Sequence, residues 1–270
     1  MTTSTLGHRA ARARDGYRFR TVAAMEWRKL RTVCSTWYIL AFFAASMIGV
    51  AMLALSHEGY QKMSAADRAS FDPTHDSLII GLVLGQLLTG TLGVLTITAE
   101  FSSGMIRATF AAAPRRPLVL AAKAAVLGAV TLAAGELTAF LAFLAGQAAL
   151  QAPAPQATLG EPGVLPAVLA AGAYPALIAL IGLGIGAVIR HTAGAICALV
   201  GVLFVLPLLF ITPALQNASQ SFLPHPMANV LTSVTPVPGT LPPGVIFALL
   251  CGYAVAAVAV GAWALSRHDA

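Results

Sequence analysis

Charge is scarce in this sequence. Asp, Glu, Lys and Arg make up only 10% of the 270 residues, aromatic residues make up 7%, and there are three cysteines. Soluble domains carry about 25% charged residues, so the scarcity excludes a soluble enzyme and also a disordered chain, which needs charge to stay solvated. Three cysteines exclude a secreted disulfide scaffold. What is present is 58% apolar residues and a mean hydropathy of +0.81, the composition of a polytopic membrane protein.

Six stretches are long enough to cross a bilayer. A hydrocarbon core about 30 Å thick requires roughly 20 apolar residues in an α-helix. The stretches that meet this requirement are 36–55, 78–99, 120–148, 164–189, 193–212 and 244–265. They are apolar on every side instead of alternating as the strands of a membrane barrel do. The sequence therefore predicts an all-α polytopic membrane protein with a six-helix transmembrane domain over 36–266.

The basic residues predict the orientation. Of the 16 Lys and Arg residues, 14 lie in or beside segments that six crossings place on one side, and only Lys62 and Arg68 lie on the other. Because basic segments resist translocation, both termini are expected in the cytoplasm, including a basic tail over 1–16 and a short tail over 267–270. The net charge of +6 comes from this asymmetry and does not indicate nucleic-acid binding. The predicted location is the plasma membrane.

An amphipathic helix is predicted over 17–35, immediately before the first span. Its apolar residues, among them Val22 and Leu30, share one face, and its arginines occupy the other. Such a helix lies in the membrane interface with its basic side toward anionic lipid headgroups. Glu26 falls in the middle of the apolar face, where a lone carboxylate is costly. Either it pairs with a cation of another segment, which we favour, or the helix is rotated or frayed there.

The cytoplasmic stretch 100–116 predicts a turn followed by a short helix. Gly104 permits a sharp turn, and a helix from Met105 to Ala113 is expected to stop at Pro114. The apolar side chains of this stretch are Phe101, Ile106 and Phe110. They either pack onto the membrane surface or are presented to a soluble partner, and the residues alone leave both possibilities open.

The connection before the last span has an unusual composition. No Asp, Glu, Lys or Arg occurs between His191 and Ser266, and the segment 213–243 contains seven prolines, so it is not one continuous helix. An uncharged external loop of this length is poorly suited to water. Short re-entrant pieces, buried against protein in the outer leaflet, are therefore expected.

Two charged residues interrupt the third apolar stretch. Lys123, near its start, is expected to snorkel to the cytoplasmic edge. Glu136 is the only acidic residue inside a predicted span, where an ionised group costs about 3 kcal/mol unless it is paired, solvated or protonated. It is a candidate for the translocation path, for a proton site or for a bond between helices. The alternative is a carboxyl group that a neighbouring backbone or hydroxyl group satisfies.

No motif for catalysis or cofactor binding is present. A phosphate-binding loop requires a lysine after a glycine, and none of Lys29, Lys62 and Lys123 has one before it. A solvated hydrophilic loop explains the possible metal ligands of the first external loop better than a metal site does; these residues are His57, Glu58, Asp72, His75 and Asp76. We therefore expect no enzyme activity, no metal and no cofactor in this chain, and any nucleotide that it uses is expected on another chain.

Two segments in a fixed order resemble one family. The segment 25–31 reads MEWRKLR and precedes a first span that contains Trp37. Glu100 and Phe101 are followed by Gly104, Arg107, Thr109, Pro114 and Arg115. Together with six spans and a long broken connection before the last, this order resembles the type-2 permeases of ATP-binding-cassette (ABC) exporters. Met105 departs from the small hydroxyl residue that is more usual at its position.

The resemblance implies a half-channel that pairs with a second copy and with separate cytoplasmic ABC ATPase subunits, which hold the ATP and Mg²⁺. The stretch 100–116 becomes a coupling loop in a cleft of the ATPase, where Phe101, Ile106 and Phe110 pack and Arg107 makes a charge-assisted contact. The implied coupling residues are Glu100, Phe101, Gly104, Ile106, Arg107, Thr109 and Phe110. The implied connecting-helix residues are Glu26, Trp27 and Arg31, and Glu26 is expected to pair with Arg107 or Arg31.

The expected cargo is apolar or amphipathic, because the spans hold no fixed charge apart from Glu136 and the edge residue Lys123. Two other classes stay open. An ion-coupled secondary transporter needs carboxylates in discontinuous helices, commonly in repeated halves. A membrane anchor or regulator that transports nothing predicts neither an ATPase partner nor vectorial flux.

Overall fold

The computed structural model describes residues 19–112, 115–151, 154–210 and 213–267, and within these ranges the regular structure is entirely helical. The helices are α1 (Phe19–Thr32), α2 (Cys34–Ala54), α3 (His57–Lys62), α4 (Ala65–Ala69), α5 (Pro73–Ser102), α6 (Met105–Ala112), α7 (Arg116–Ala149), α8 (Val164–Ile189), α9 (Thr192–Val200), α10 (Pro213–Phe222), α11 (Pro224–Thr232) and α12 (Pro243–Arg267). The predicted tail 1–16 and the predicted helix stop at Pro114 lie outside the described residues, as do 268–270.

Six helices are long and apolar enough to cross a membrane: α2, α5, α7, α8, α12 and the continuous helical segment Thr192–Leu209 that begins with α9. This confirms the all-helical fold and the number of long apolar helices. α5 begins five residues earlier than its predicted span, because Asp72 caps it by accepting hydrogen bonds from the backbone N–H groups of Thr74 and His75. Pro73 occupies the first turn, where its missing N–H costs nothing.

The fifth long helix changes its winding along its length. α9 passes into a π-helical turn over Gly201–Val205 and then a 3₁₀ turn over Leu206–Leu209. Pro207 has no N–H to donate to the carbonyl four residues before it, so regular α-helical bonding cannot continue through this point. The last two residues of the predicted span 193–212 lie outside the described residues.

The helix α8 forms the centre of the bundle. Of its most apolar part 61% is buried, against 17% in the helix that follows it. Glycines allow this central position: a Cβ on Gly93 of α5 would overlap the carbonyl oxygen of Ala179 of α8, and a Cβ on Gly182 would overlap that of Gly90. Close backbone contact of this kind is how small residues pack helices in membranes.

The two ends of the bundle differ in chemistry. α1, the turn from α5 to α6 and the start of α7 meet at one end, which we call the charged end. The other end, the far end, carries α3, α4 and the proline-rich segment 213–243. That segment contains two short helices, and α11 is buried against α5, α8 and α12. Its expected re-entrant position in a bilayer stays a prediction.

Candidate functional site

Four charged side chains meet inside the charged end, and we call them the ion cluster. Two of them, Glu26 and Lys29, come from α1, where a spacing of three residues places them on one helix face. Glu100 comes from the end of α5 and Lys123 from the start of α7. The side chains of both carboxylates and of Lys123 are at most 6% exposed, whereas that of Lys29 is 26% exposed.

Each cation of the ion cluster contacts both carboxylates. Lys29 Nζ lies 3.0 Å from Glu26 Oε1 and 2.9 Å from Glu100 Oε1. Lys123 Nζ lies 2.8 Å from Glu100 Oε1 and also pairs with Glu26 Oε2. Lys29 donates a further hydrogen bond of 3.2 Å to Thr109 Oγ1. The cluster therefore ties α1, α5, α6 and α7 together and carries no net charge.

This balance of charges is why the groups tolerate burial. An ionised group removed from water loses several kcal/mol of solvation, which close opposite charges and hydrogen bonds must offset. Burial alone lowers the pKa of Lys29, but the hydrogen bond to Glu100 and the negative charges of Glu26 and Glu100 outweigh burial, so the pKa is raised. Lys29 therefore stays cationic at neutral pH.

Glu26 is paired with a cation of another segment, as favoured from the sequence, but its partners are not the ones expected. Its cations are Lys29 and Lys123, not Arg107 or Arg31. Arg31 instead uses its carbonyl oxygen to accept a hydrogen bond of 3.1 Å from the indole N–H of Trp37. The expectation that Lys123 snorkels to the edge is also wrong, because two buried carboxylates hold its ammonium inside the bundle.

The connecting-helix residue Trp27 is 41% exposed and lies beside a shallow groove between α1 and α7. The groove is lined mainly by alanines of the two helices. Trp27 takes no part in the ion cluster, so α1 presents it on a different side from Glu26.

The residues expected to form a coupling loop face in two directions. Gly104 has a φ of +71°, which a residue with a side chain rarely adopts, and it turns the chain sharply from α5 into α6. Ile106 is 3% exposed and packs with Leu30 and Leu120 inside the chain. Thr109 is 6% exposed and lies beside Glu100. Both therefore point away from any partner, which corrects the expectation that Ile106 packs in a partner's cleft.

The outward side of α6 carries Met105, which is 49% exposed, and the exposed Arg107. Several other exposed residues of the described part of this stretch are small, such as Ser102, Ser103 and Ala108, so Met105 and Arg107 are among its largest accessible side chains. The side chain of Phe110, the third apolar residue expected there, lies outside the described part of the chain.

Phe101 is half-buried within the chain. The guanidinium group of Arg190, at the C-terminal end of α8, lies 5.4 Å from the centre of the Phe101 ring. Arg190 also donates a hydrogen bond of 3.1 Å to the carbonyl oxygen of Ala264, and Arg116 donates one of 3.1 Å to that of Leu265. Two arginines thus satisfy carbonyls at the end of α12 and tie it to the charged end.

Glu136 lies in α7, between three and four turns after Lys123, at a close crossing with α8. Its carboxylate lies over Gly172, where a Cβ would come within 2.5 Å of Glu136 Oε2. This oxygen is buried and has no hydrogen-bond partner among the described residues. The backbone or hydroxyl group that was expected, as one alternative, to hydrogen-bond Glu136 is therefore not found among the described residues. Oε2 remains available to a ligand or a proton.

Polar residues around Gln86, midway along α5, form a second network, which the sequence did not predict. Gln86 Nε2 lies 2.7 Å from His225 Nδ1, and the hydroxyl group of Tyr174 lies 2.6 Å from Gln86 Oε1 and 3.0 Å from the carbonyl oxygen of Pro224. The one sequence signal was Gln86, a lone amide in an apolar stretch, since buried amides are normally hydrogen-bonded. The network fastens α11 to α5 and α8.

Two of the first-loop residues named as possible metal ligands, Asp72 and His75, have other roles, and the side chains of His57 and Glu58 lie outside the described part of the chain. The second carboxylate oxygen of Asp72 accepts a hydrogen bond of 2.9 Å from the backbone N–H of Val234, and His75 Nδ1 lies 2.8 Å from Thr232 Oγ1. Within the part of the chain that the structure describes, no three His, Cys, Asp or Glu residues are grouped to hold a metal ion. Asp72 and His75 instead fasten the segment 213–243.

No protein-family model and no curated protein sequence matches the chain.

Proposed function

We propose that this chain is the transmembrane permease subunit of an ABC-type exporter. In this proposal it lies in the plasma membrane with both termini in the cytoplasm and pairs with a second copy. A separate ABC ATPase binds the charged end and holds the ATP and Mg²⁺. The cargo is apolar or amphipathic, because the long helices offer few fixed charges to an ionic one.

The observation that supports this proposal is the two-sided contact of α6. Met105 and Arg107 point outward, where a soluble ATPase is able to bind them. Ile106 and Thr109 point inward, and Thr109 accepts a hydrogen bond from Lys29 of the ion cluster. A short helix of this kind touches a partner with one side and the membrane helices with the other.

The ion cluster gives a physical route by which movement passes into the bundle. Separating one of its charges from the others leaves an unpaired buried ion, at a cost of about 3–5 kcal/mol. The four helices that share the cluster are therefore expected to move together when a partner displaces α6. Close packing favours such discrete shifts over gradual bending.

The proposal is tested by co-purification of tagged protein in mild detergent, with ATPase activity measured in the purified material. We expect a soluble ATPase to co-purify with the wild-type chain and to be lost from Arg107→Glu. The matched control is Arg68→Glu, which makes the same charge change at the far end. A folded wild-type protein that brings down no nucleotide-binding partner contradicts the exporter proposal.

A second candidate function, ion-coupled transport, is favoured by the unpartnered oxygen of Glu136. A carboxyl group with this environment is able to bind and release a proton or cation as the helices move. The distinguishing measurement is flux into liposomes driven by a proton or sodium gradient without nucleotide. Gradient-driven flux that Glu136→Gln abolishes supports this candidate, and its absence in wild type removes it.

A further inference from the structure

A cavity of ≈ 380 Å³ opens beside the ion cluster, within the size range of small-molecule sites. Its walls come from α1, the start of α2, the second half of α5, and residues of α6 and α7. Residues of five helices thus surround a space that the side chains of the chain leave unfilled. We call it the amphipathic cavity.

The two parts of the amphipathic cavity differ in polarity. One part is formed by the four charged side chains of the ion cluster. The rest is largely apolar, with Leu30, Leu92, Leu95 and Val126 among its lining residues. A molecule that fills both parts needs a polar group at one end and a hydrocarbon body at the other, because each unmatched surface costs free energy.

The charges of the ion cluster restrict the polar group. Two ammonium and two carboxylate groups already balance one another, so a charged headgroup brings an ion that has no counter-ion in a largely buried site. Lys123 Nζ has three hydrogens and two acceptors, Glu26 and Glu100, among the described residues. Its third N–H is available to an uncharged acceptor such as a hydroxyl or ester oxygen.

We infer that the amphipathic cavity binds an uncharged amphiphile from the membrane, its hydrocarbon part against Leu30, Leu92 and Leu95 and its hydroxyl or ester group at Lys123. The inference does not rest on the exporter proposal, since an amphiphile site would serve an anchor or regulator equally well. Binding is therefore measured on this chain alone, without ATPase or nucleotide.

The test uses the full chain in lipid nanodiscs and a photoreactive long-chain alcohol with a diazirine in its alkyl chain. We expect crosslinks on the peptides that contain Leu30–Thr36 and Leu92–Glu100, and competition by the unlabelled alcohol. The fatty acid and the alkylamine of equal chain length are expected to compete about tenfold less well, because each brings an unbalanced charge. Equal competition by all three compounds overturns the assignment of an uncharged headgroup.

Two substitutions fill the cavity from its exposed wall. Ala99→Phe places a ring in the space beside Glu100, and Leu95→Trp does so one turn earlier. Both are expected to remove the specific crosslinks while the thermal stability of the protein stays near that of wild type. The control is Ala256→Phe, at an exposed position of α12 that does not line the cavity. Undiminished crosslinking in both folded cavity variants, or labelling spread evenly over all exposed helices, overturns the inference.

Discussion

The ion cluster predicts a large and unequal cost for removing its two lysines. Lys123→Met leaves Glu26 and Glu100 buried with Lys29 as their single remaining cation in the cluster. Breaking a buried ion pair by deleting one partner costs about 3–5 kcal/mol, because a buried charge is left unpaired. Lys123 is 2% exposed, so little water reaches the place that its ammonium vacates. We expect a loss of stability within that range.

Lys29→Met is the matched control, since it removes the same charge from the same two carboxylates. The side chain of Lys29 is 26% exposed against 3% for that of Lys123, so water solvates part of what is lost. Its cost is expected to be about half that of Lys123→Met or less. Adding Glu100→Gln to Lys123→Met should restore roughly 1 kcal/mol or more, because it removes one of the stranded charges.

The assay is reversible unfolding in mixed micelles with increasing SDS, followed by the loss of helical circular dichroism. The slope of the unfolding curve shows whether the variants unfold from the same native state. A cost for Lys123→Met below that of Lys29→Met would refute the reasoning, as would the absence of any rescue by Glu100→Gln. Either result means that water reaches Lys123 in the native protein.

Three further outcomes follow from the packing and from the network around Gln86. Gly93→Ala is expected to cost about 3 kcal/mol of stability in the same unfolding assay, because the added methyl group would overlap the backbone of α8. The control is Gly252→Ala, which should cost nothing because the space around Gly252 is open. Tyr174→Phe should cost about 1–3 kcal/mol of stability, because it leaves Gln86 Oε1 without its hydrogen-bond donor. If this network holds α11 in place, amide hydrogen exchange should rise more in α11 than in α1. Burial lowers the pKa of His225 below its usual 6.5. Below pH 6.5, His225 therefore takes up a proton in the unfolded chain but not yet in the folded chain. Stability falls as the pH drops from 6.5 toward the pKa of His225 in the folded chain. His225→Gln should remove that part of the acid loss, and an unchanged pH profile would show that His225 does not contribute to it.

The long helices were predictable because their cause is local. A run of about 20 apolar residues is visible in the sequence itself, and no distant contact changes its meaning. The bounds were less predictable where a polar residue decides them. Asp72 caps α5, so that the helix begins at Pro73, five residues before the apolar run that defines the predicted span. The changed winding after α9 likewise depends on one residue, Pro207, inside a run that is apolar throughout.

The ion cluster was only half predictable. The position of Glu26 on an apolar helix face showed that the carboxylate needs a cation, and that is a local inference. Its partner Lys123 is 97 residues away in the chain, and nothing in the spacing of either residue indicates the other. A pair with Arg107 or Arg31 was expected because it would lock the connecting helix to the coupling loop, whereas the fold turns Arg107 outward. Long-range pairs of this kind depend on which helices pack together, and the spacing of apolar residues in the sequence does not show this.

Ile106 shows a different limit of sequence analysis. An apolar side chain in a loop outside the membrane is expected to be buried, either by its own chain or by a partner. The sequence does not say which of the two covers it. The positive φ of Gly104 turns α6 back onto the bundle, so that Ile106 joins Leu30 and Leu120. Arg107, the next residue, is left exposed by the same turn, which is why the proposed ATPase contact is tested there.

The ion cluster also bears on the predicted orientation. Lys29 and Lys123 are among the 14 basic residues placed on one side, yet each is neutralised by buried carboxylates. Orientation depends on Lys and Arg at the time of insertion and little on acidic residues, so the pairing does not cancel their effect. Even without these two lysines, twelve basic residues on the predicted cytoplasmic side oppose two on the other side.

A cysteine-accessibility measurement at Arg107→Cys and Arg68→Cys in sealed cells checks this orientation directly. Labelling by a membrane-impermeant reagent should occur at position 68 and not at position 107. The reverse pattern would place α6 outside the cell, where no ATPase is able to reach it, and would remove the exporter proposal along with the orientation.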